Sequence, residues 1–205
     1  MAISGTPTAG NDTVTITPTG VYSVDGLGGT DTLRLDFSTL TSDVRHFYYS
    51  SGAYRYTDDF LTTATYVGFE RFDLTMGSGD DVLVGGALND RLVGGAGSDL
   101  ITGGLGADTI VGGVGYDRWS ADYSTVASNV ALTLSATATA VISATGASLI
   151  GIEAITLRVN QSRDVVALPT SHIAHHSLSA NGAASAATFS ALAAGFPRAY
   201  IDVNR

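Results

Sequence analysis

Aspartate recurs every nine residues through the middle of the chain, a spacing that can build a row of metal ligands. Read in blocks of nine, residues 76–120 run MGSGDDVLV, GGALNDRLV, GGAGSDLIT, GGLGADTIV and GGVGYDRWS without an insertion. The sixth place of every block is aspartate and the eighth is a large apolar residue. The candidate carboxylate ligands are therefore Asp81, Asp90, Asp99, Asp108 and Asp117. Carboxylates beside flexible turns favour a hard cation such as Ca²⁺.

Glycine fills most of the first, second and fourth places of these blocks. Because glycine accepts positive φ, backbone carbonyls can turn toward one point, where the aspartate adds its carboxylate. Calcium takes about 6–8 oxygen ligands, so this donor set suits it. The candidate backbone ligands are Gly77, Gly79, Gly86, Gly95, Gly97, Gly104, Gly106, Gly113 and Gly115. The plainer alternative is that glycine only makes tight turns, which aspartate caps.

The same period predicts the elements that position the ligands. A block cannot bury its one apolar side chain alone, so successive blocks must stack as a solenoid. The last three residues of each block read as a short strand whose middle side chain points inward.

The blocks resemble the nonapeptide GGxGxDxUx, with U apolar, of the RTX or hemolysin-type calcium-binding family. The resemblance implies an all-β fold, a right-handed parallel β-roll in which each block makes half a turn. Blocks one, three and five would then line one edge, and blocks two and four the other. About three Ca²⁺ ions are implied, shared by Asp81 with Asp99, Asp99 with Asp117, and Asp90 with Asp108. Met76 and Leu88 depart from the glycine pattern.

Composition favours ion binding over other partners. The net charge is −9, lysine is absent, and of 19 acidic residues only Glu70 and Glu153 are glutamate. Such acidity argues against nucleic acid or an anionic membrane as a partner. Cysteine is absent, so a metal would replace disulfides as the staple of the fold.

Met1–Gly10 has neither the basic nor the apolar region of a secretory signal peptide, so we do not expect it to be one, and no apolar run is long enough to span a bilayer. We therefore expect a soluble protein. The family resemblance implies secretion by type I machinery, which would place the protein outside the cell.

Two isolated stretches upstream resemble single blocks. Residues 7–15 and 26–34 keep the fourth-place glycine, the sixth-place aspartate and the apolar eighth residue. Asp12 and Asp31 are therefore weaker candidate calcium ligands, although turn chemistry explains them about as well.

A longer internal repeat indicates two copies of one module. Residues Gly29–Val44 match Gly115–Val130, and Tyr66–Val82 match Leu149–Val165, which pairs Glu70 with Glu153. A packing or edge-pairing role suits these glutamates better than catalysis. The second copy lacks the ligating glycines, so 160–167 is predicted to be a degenerate turn without an ion.

The two copies carry different insertions. Residues Arg45–Tyr56 (RHFYYSSGAYRY) predict an aromatic hairpin. Its Tyr48 and Tyr54 could stack on sugar rings, but a lid over the end of the roll is the favoured interpretation. In the second copy Val130–Ser143 alternates as strands do.

The C-terminal region is rich in alanine and serine. Ser185–Ala194 predicts a short helix before Gly195 and Pro197. His172, His175 and His176 would converge on a helix and could bind Zn²⁺, although surface histidines are the commoner outcome.

We predict four segments: an N-terminal β module (1–75), the calcium roll (76–120), a degenerate β module (121–168) and the tail (169–205). No catalytic motif is present. The predicted function is a non-catalytic, extracellular calcium-binding module that folds on binding Ca²⁺ and stabilises an exported bacterial protein or assists its secretion. The alternatives are a module that binds polysaccharide or a cell surface, and an accessory domain of a secreted hydrolase or epimerase. The sequence is also compatible with a fragment of a longer protein.

Overall fold

The computed structural model of the chain describes residues 3–17, 20–50, 52–58, 61–126, 131–133, 140–142, 145–159, 165–168, 175–181, 188–191 and 199–204. Within these residues the regular elements are all β-strands, and none is a helix. The predicted all-β fold class is therefore confirmed. The described part of the chain also contains no helix able to cross a membrane.

The strands, in chain order, are β1 (Ile3–Ser4), β2 (Thr13–Ile16), β3 (Gly20–Asp25), β4 (Thr32–Asp36), β5 (Arg45–Ser50), β6 (Ala53–Thr57), β7 (Thr62–Val67), β8 (Arg71–Thr75), β9 (Val82–Val84), β10 (Arg91–Ala96), β11 (Leu100–Thr102), β12 (Thr109–Val114), β13 (Arg118–Tyr123), β14 (Ala131–Thr133), β15 (Ala140–Ile142), β16 (Ser148–Ile150), β17 (Ala154–Val159), β18 (Val165–Leu168), β19 (His175–Asn181), β20 (Thr188–Ala191) and β21 (Ala199–Asn204). They form a first sheet in the order β1-β2-β4-β8-β10-β12-β16-β15-β14-β18-β20, a second in the order β21-β19-β17-β13-β11-β9, and a third in the order β3-β7-β6-β5.

Strands of successive nonapeptides alternate between the first two sheets. In the second sheet, β9, β11 and β13 pair in parallel with Leu83, Ile101 and Trp119 in register. In the first sheet, β10 and β12 pair in parallel with Leu92 opposite Ile110. One turn of the roll therefore takes two blocks. This is the half-turn register that the family resemblance implied.

The core of the roll consists of the eighth-place side chains. Leu83, Leu92, Ile101 and Ile110 have no exposed surface, and Trp119 is 1% exposed. Burial of one such side chain contributes about 1.5–3 kcal/mol. A single block gains too little to fold alone, so stacking of neighbouring turns is what makes the strands stable.

Both sheets continue beyond the nonapeptides through the longer repeat. Strand β4 pairs with β8 in the first sheet, with Thr32 opposite Arg71. Strand β13 pairs with β17 in the second sheet, with Arg118 opposite Ala154. These four residues are the equivalent positions of the two copies, so the repeat in sequence is also a repeat in strand pairing.

The tyrosine-rich segment forms the predicted hairpin. Strands β5 and β6 pair antiparallel, with Tyr48 opposite Tyr54, and β6 continues onto β7. The hairpin docks on the edge strand β9, because the Tyr56 hydroxyl both accepts the Val84 N–H and donates to the Val84 carbonyl, each at 2.8 Å. The N–H of Val82 donates to the Val44 carbonyl at 2.8 Å. The lid interpretation agrees with these contacts.

The predicted C-terminal helix is wrong. Residues 188–191 form β20, which pairs in parallel with β18, while the rest of Ser185–Ala194 lies outside the described residues. Thr188 and Phe189 are β-branched and aromatic, types that favour strands. Pairing with a distant strand outweighs the local capping pattern on which the helix prediction depended.

Two further predictions concern residues 130–143 and 160–167 in the second half of the chain. Of Val130–Ser143, residues 131–133 and 140–142 form the antiparallel pair β14 and β15, in agreement with a strand prediction. Of the degenerate turn 160–167, residues 160–164 lie outside the described part and 165–167 belong to β18. The four segment boundaries remain predictions.

Candidate metal centre

The block aspartates form two hydrogen-bonded rows along the edges of the roll. In the first row, Asp99 Oδ1 accepts the Asp81 N–H at 2.9 Å, and Asp117 Oδ1 accepts the Asp99 N–H at 3.0 Å. In the second row, Asp108 Oδ1 accepts the Asp90 N–H at 3.0 Å. Each aspartate therefore joins two turns of the roll, in the grouping that the half-turn register produces.

The other carboxylate oxygen of the first row is buried without a hydrogen-bond partner. Asp81, Asp99 and Asp117 are 1%, 2% and 0% exposed, and their Oδ2 atoms accept no hydrogen bond. An unpaired ionised oxygen away from water costs of the order of several kcal/mol. A bound cation at this edge would remove that cost.

First-place glycines leave the space in which such a cation could bind. A Cβ on Gly94 would lie 2.1 Å from Asp99 Oδ2 and 2.7 Å from the Gly112 carbonyl oxygen. A Cβ on Gly85 would lie 2.4 Å from Asp90 Oδ2 and 2.5 Å from the Gly103 carbonyl oxygen. Carboxylate and carbonyl oxygens of adjacent turns therefore converge where only glycine fits.

Second- and fourth-place glycines supply the turn. In blocks three to five they all have positive φ, which L-residues rarely adopt; they are Gly95, Gly97, Gly104, Gly106, Gly113 and Gly115. Gly77, Gly79 and Gly86 of the first two blocks do not share it. The backbone thus departs from the pattern in the two blocks where the sequence does.

Block two keeps the carbonyl that its missing glycine would have offered. A Cβ on Gly106 would lie 2.6 Å from the Leu88 carbonyl oxygen, as one on Gly97 would lie 2.2 Å from that of Gly79. The Asp90 carboxylate is held by two backbone groups, since Gly86 N–H donates to Oδ2 at 2.6 Å and Phe72 N–H to Oδ1 at 2.7 Å.

The donors available at both edges are all oxygens. Within the described residues no three acidic, histidine or cysteine side chains converge on one point. A metal here would therefore take carboxylates from two turns and complete its shell with backbone carbonyls. That combination fits a hard cation of variable coordination such as Ca²⁺ better than a transition metal.

Burial changes the acidity of the rows. It raises the pKa of Asp81 and Asp108 to about 7 and that of Asp90 and Asp99 to about 6, and it also raises the pKa of Asp117. Neighbouring carboxylates add to the effect in the first row, where Asp99 acts on Asp81 and Asp117 acts on Asp99.

Sequence reasoning did not foresee how the two glutamates take part in the rows. Glu70 Oε2 accepts the Asp31 N–H at 2.9 Å, and Glu153 Oε2 accepts the Asp117 N–H at 2.8 Å. Each replaces the aspartate of the next turn as the acceptor, which is the edge-pairing role favoured over catalysis. The sequence feature that pointed to this shared role is the equivalence of Glu70 and Glu153 in the longer repeat.

The weaker candidate ligands lie on the edge of Asp90 and Asp108. Asp12 N–H donates to Asp31 Oδ1 at 2.8 Å, which continues the row upstream. Asp12 Oδ2 is occupied, because it accepts the Thr8 N–H at 2.6 Å and hydroxyl at 2.8 Å. Oδ2 of Asp31 is buried and accepts no hydrogen bond.

The remaining candidates lie away from the rows. Tyr48 and Tyr54 are 59% and 41% exposed, with ring centroids 5.6 Å apart. The zinc hypothesis assumed a helix, and that premise is wrong for His175 and His176, which are neighbours in β19. His172 lies outside the described residues.

Comparison with known families identifies the blocks. Residues 77–92 and 84–118 match the RTX calcium-binding nonapeptide repeat, in four copies. No curated protein matches the chain. The predicted family resemblance is confirmed over this segment, and RTX repeats are calcium-binding repeats.

The raised pKa values predict a pH dependence. Folded carboxylates that titrate near 6–7 hold protons that the unfolded chain has lost, so the metal-free roll loses stability as pH rises from about 4 through 7. Calcium needs the ionised form. We expect the calcium affinity to fall between pH 8 and pH 5.5, with protons released on binding. Calorimetry in buffers of different ionisation enthalpy would measure both the affinity and the proton release. A calcium affinity that does not change between pH 8 and pH 5.5 would contradict the assignment.

Proposed function

We propose that the RTX nonapeptides of residues 77–118 make this chain a non-catalytic calcium-binding module that folds as the ion binds. The observation that carries the proposal is the row of buried, unpartnered carboxylate oxygens at Asp81, Asp99 and Asp117. Buried like charges oppose the compact state in the absence of metal. Binding energy of the cation is then folding energy.

The proposed ions lie between turns of the same edge. One is held between Asp81 and Asp99, a second between Asp99 and Asp117, and a third between Asp90 and Asp108. The other ligands in this proposal are the convergent carbonyl oxygens, such as that of Gly103, which lies near Asp90 Oδ2, and that of Gly112, which lies near Asp99 Oδ2. About three ions per chain follow from this arrangement.

The biological role follows from calcium supply. Extracellular calcium modules bind with Kd values of about 10⁻⁴–10⁻³ M, so a chain of this kind would fold only after export. We propose that it stabilises an exported bacterial protein, or assists its secretion through type I machinery. If a catalytic domain lies in the same protein, the stabilising role becomes that of an accessory domain of a secreted hydrolase or epimerase.

Calcium-dependent folding can be tested directly. The metal-free chain is expected to show a largely unfolded or molten circular dichroism spectrum, and to gain β structure on addition of millimolar Ca²⁺. Magnesium at the same concentration is the control, because it prefers a tighter octahedral shell and keeps its waters. Identical spectra in EDTA and in calcium would exclude the proposal.

The central aspartate offers a sharper test. Asp99→Asn removes a charge from the place shared by two proposed ions, so we expect fewer bound ions and a calcium midpoint for folding raised about tenfold or more. Asp80→Asn is the matched control. Asp80 is exposed, its Oδ1 only accepts the Ser98 N–H at 2.7 Å, and block two carries Asn89 at the same place. Calorimetric titration would measure the effects on ion number and on the calcium midpoint. Equal effects of the two substitutions would contradict the assignment of Asp99 as a ligand.

A second candidate function is binding of polysaccharide or a cell surface at the tyrosine hairpin. The observation that favours it is a cavity of about 250 Å³ between the hairpin and block two, lined by His46, Tyr54, Tyr66, Phe69 and Phe72. Aromatic faces with polar tips suit the C–H faces and hydroxyls of a sugar ring. Gly85 and Gly86 complete the wall, so calcium at the Asp90 edge would also fix the cavity.

Sugar binding predicts a specific loss. Replacing Tyr48 and Tyr54 by Ala should abolish retention on a polysaccharide column run in calcium, while calcium-induced folding persists. Phe47→Ala is the control, because Phe47 is 40% exposed and alternation puts it on the opposite face of β5. Equal retention of all three proteins would leave the hairpin as a lid alone.

A further inference from the structure

Residues 26–34 adopt the backbone of a calcium block although they lie outside the matched nonapeptides. Gly29, at the fourth place, has φ of 124°, and Leu27, at the second place, has φ of 71°. Leu27 is the one residue other than glycine with positive φ in the described part of the chain. Positive φ is disfavoured for a side-chain-bearing residue and persists only where the surroundings demand it. The turn is therefore held in the geometry that the nonapeptides reach with glycine.

Asp31, the sixth residue of this block, matches the first-row aspartates. It is 1% exposed. Its Oδ1 accepts the Asp12 N–H from the preceding turn at 2.8 Å, whereas its Oδ2 is buried and accepts no hydrogen bond. A turn cap would use both oxygens or expose the second to water. The unpartnered oxygen points instead to a cation.

The Gly68 carbonyl oxygen and the Asp31 carboxylate both lie close to Gly26. A Cβ on Gly26 would lie 1.9 Å from the Gly68 carbonyl oxygen and 2.9 Å from Asp31 Oδ2. Gly68 itself has φ of 71°. Glu70 closes the turn by accepting the Asp31 N–H at 2.9 Å.

The equivalent residues of the second copy show the same arrangement within a matched nonapeptide. A Cβ on Gly112 would lie 1.9 Å from the Gly151 carbonyl oxygen and 2.5 Å from Asp117 Oδ2. Glu153 accepts the Asp117 N–H at 2.8 Å. The geometry at Asp31 is therefore that of a calcium block, repeated where the nonapeptide sequence is incomplete.

Negative charge surrounds this cradle. Asp25 Oδ1 accepts the Leu27 N–H at 2.9 Å and lies 3.2 Å from the position of a Cβ on Gly68. Asp25 therefore puts one negative charge near the Gly68 carbonyl, and Glu70 puts another beside the Asp31 N–H. An oxygen-lined, anionic turn at the exposed edge of the roll suits a hard divalent cation.

We propose a further calcium site in which Asp31 Oδ2 and the Gly68 carbonyl oxygen bind the ion, with Asp25 and Glu70 supplying charge beside it. It rests on the proposed function only in taking calcium as the cation. The site would tie the N-terminal half-turns to the β7–β8 connection. The calcium ladder would then extend beyond the repeats that the family pattern recognises.

The test counts ions on the whole chain. Equilibrium dialysis against Ca²⁺ should show one ion fewer per folded chain for Asp31→Asn than for the wild type. The asparagine keeps an acceptor for the Asp12 N–H and can donate to the Gly68 carbonyl, so the variant should fold. Asp36→Asn is the control, because Asp36 is exposed and its Oδ1 accepts only the local Ser38 N–H and hydroxyl. An unchanged ion count in Asp31→Asn overturns the inference.

Two further outcomes are distinguishable. If the wild type binds no calcium, the proposed function fails with the inference. If Asp99→Asn loses ions and Asp31→Asn does not, only the inference fails.

Should Asp31→Asn not fold, Glu70→Gln decides the matter, because it keeps the acceptor and removes one charge. Weaker binding of one ion, with the others unchanged, supports the site, and unchanged binding of all ions overturns it.

Discussion

The structure depends on one buried aspartate per half-turn, and in the first row only one oxygen of each carboxylate accepts a hydrogen bond. In the first row, Oδ1 joins adjacent turns through a backbone N–H, while Oδ2 faces the glycine cradle without a partner. The short aspartate side chain allows this division, and the first-place glycine leaves room for it. Removal of either would disturb both the spacing of the turns and the convergence of oxygens. Stability of the roll and the proposed binding of the cation thus depend on the same carboxylates.

The local pattern was sufficient to predict a stacked solenoid, because each block carries its own turn and its own buried residue. The half-turn register, which decides which strands are neighbours and which aspartates share an edge, was implied by the family resemblance. Elements that depend on distant partners could not be predicted in this way. Residues 188–191 have local helix signals nearby but pair with β18. The acceptor role of Glu70 involves Asp31, 39 residues away, and only the longer repeat hinted at it.

The two copies of the longer repeat use opposite sheets. Strands β4 and β8 lie in the first sheet, whereas their equivalents β13 and β17 lie in the second. The second copy is therefore rotated by half a turn about the roll, which a solenoid tolerates because both sheets offer the same parallel pairing. Glutamate marks the point in each copy where the next turn is reached only after a long excursion. Its longer side chain satisfies the aspartate N–H there.

The contact between Tyr56 and Val84 affects whether another molecule can pair with the edge of the second sheet. An edge strand with free N–H and C=O groups is a template for strands of other molecules. At β9 one phenol hydroxyl occupies both groups of Val84, and the Val44 carbonyl occupies the N–H of Val82. The second sheet is therefore closed at this end by a side chain and a loop rather than by another strand. A neighbouring molecule would have to displace the hairpin before it could add to the sheet there, so this end of the roll resists polymerisation.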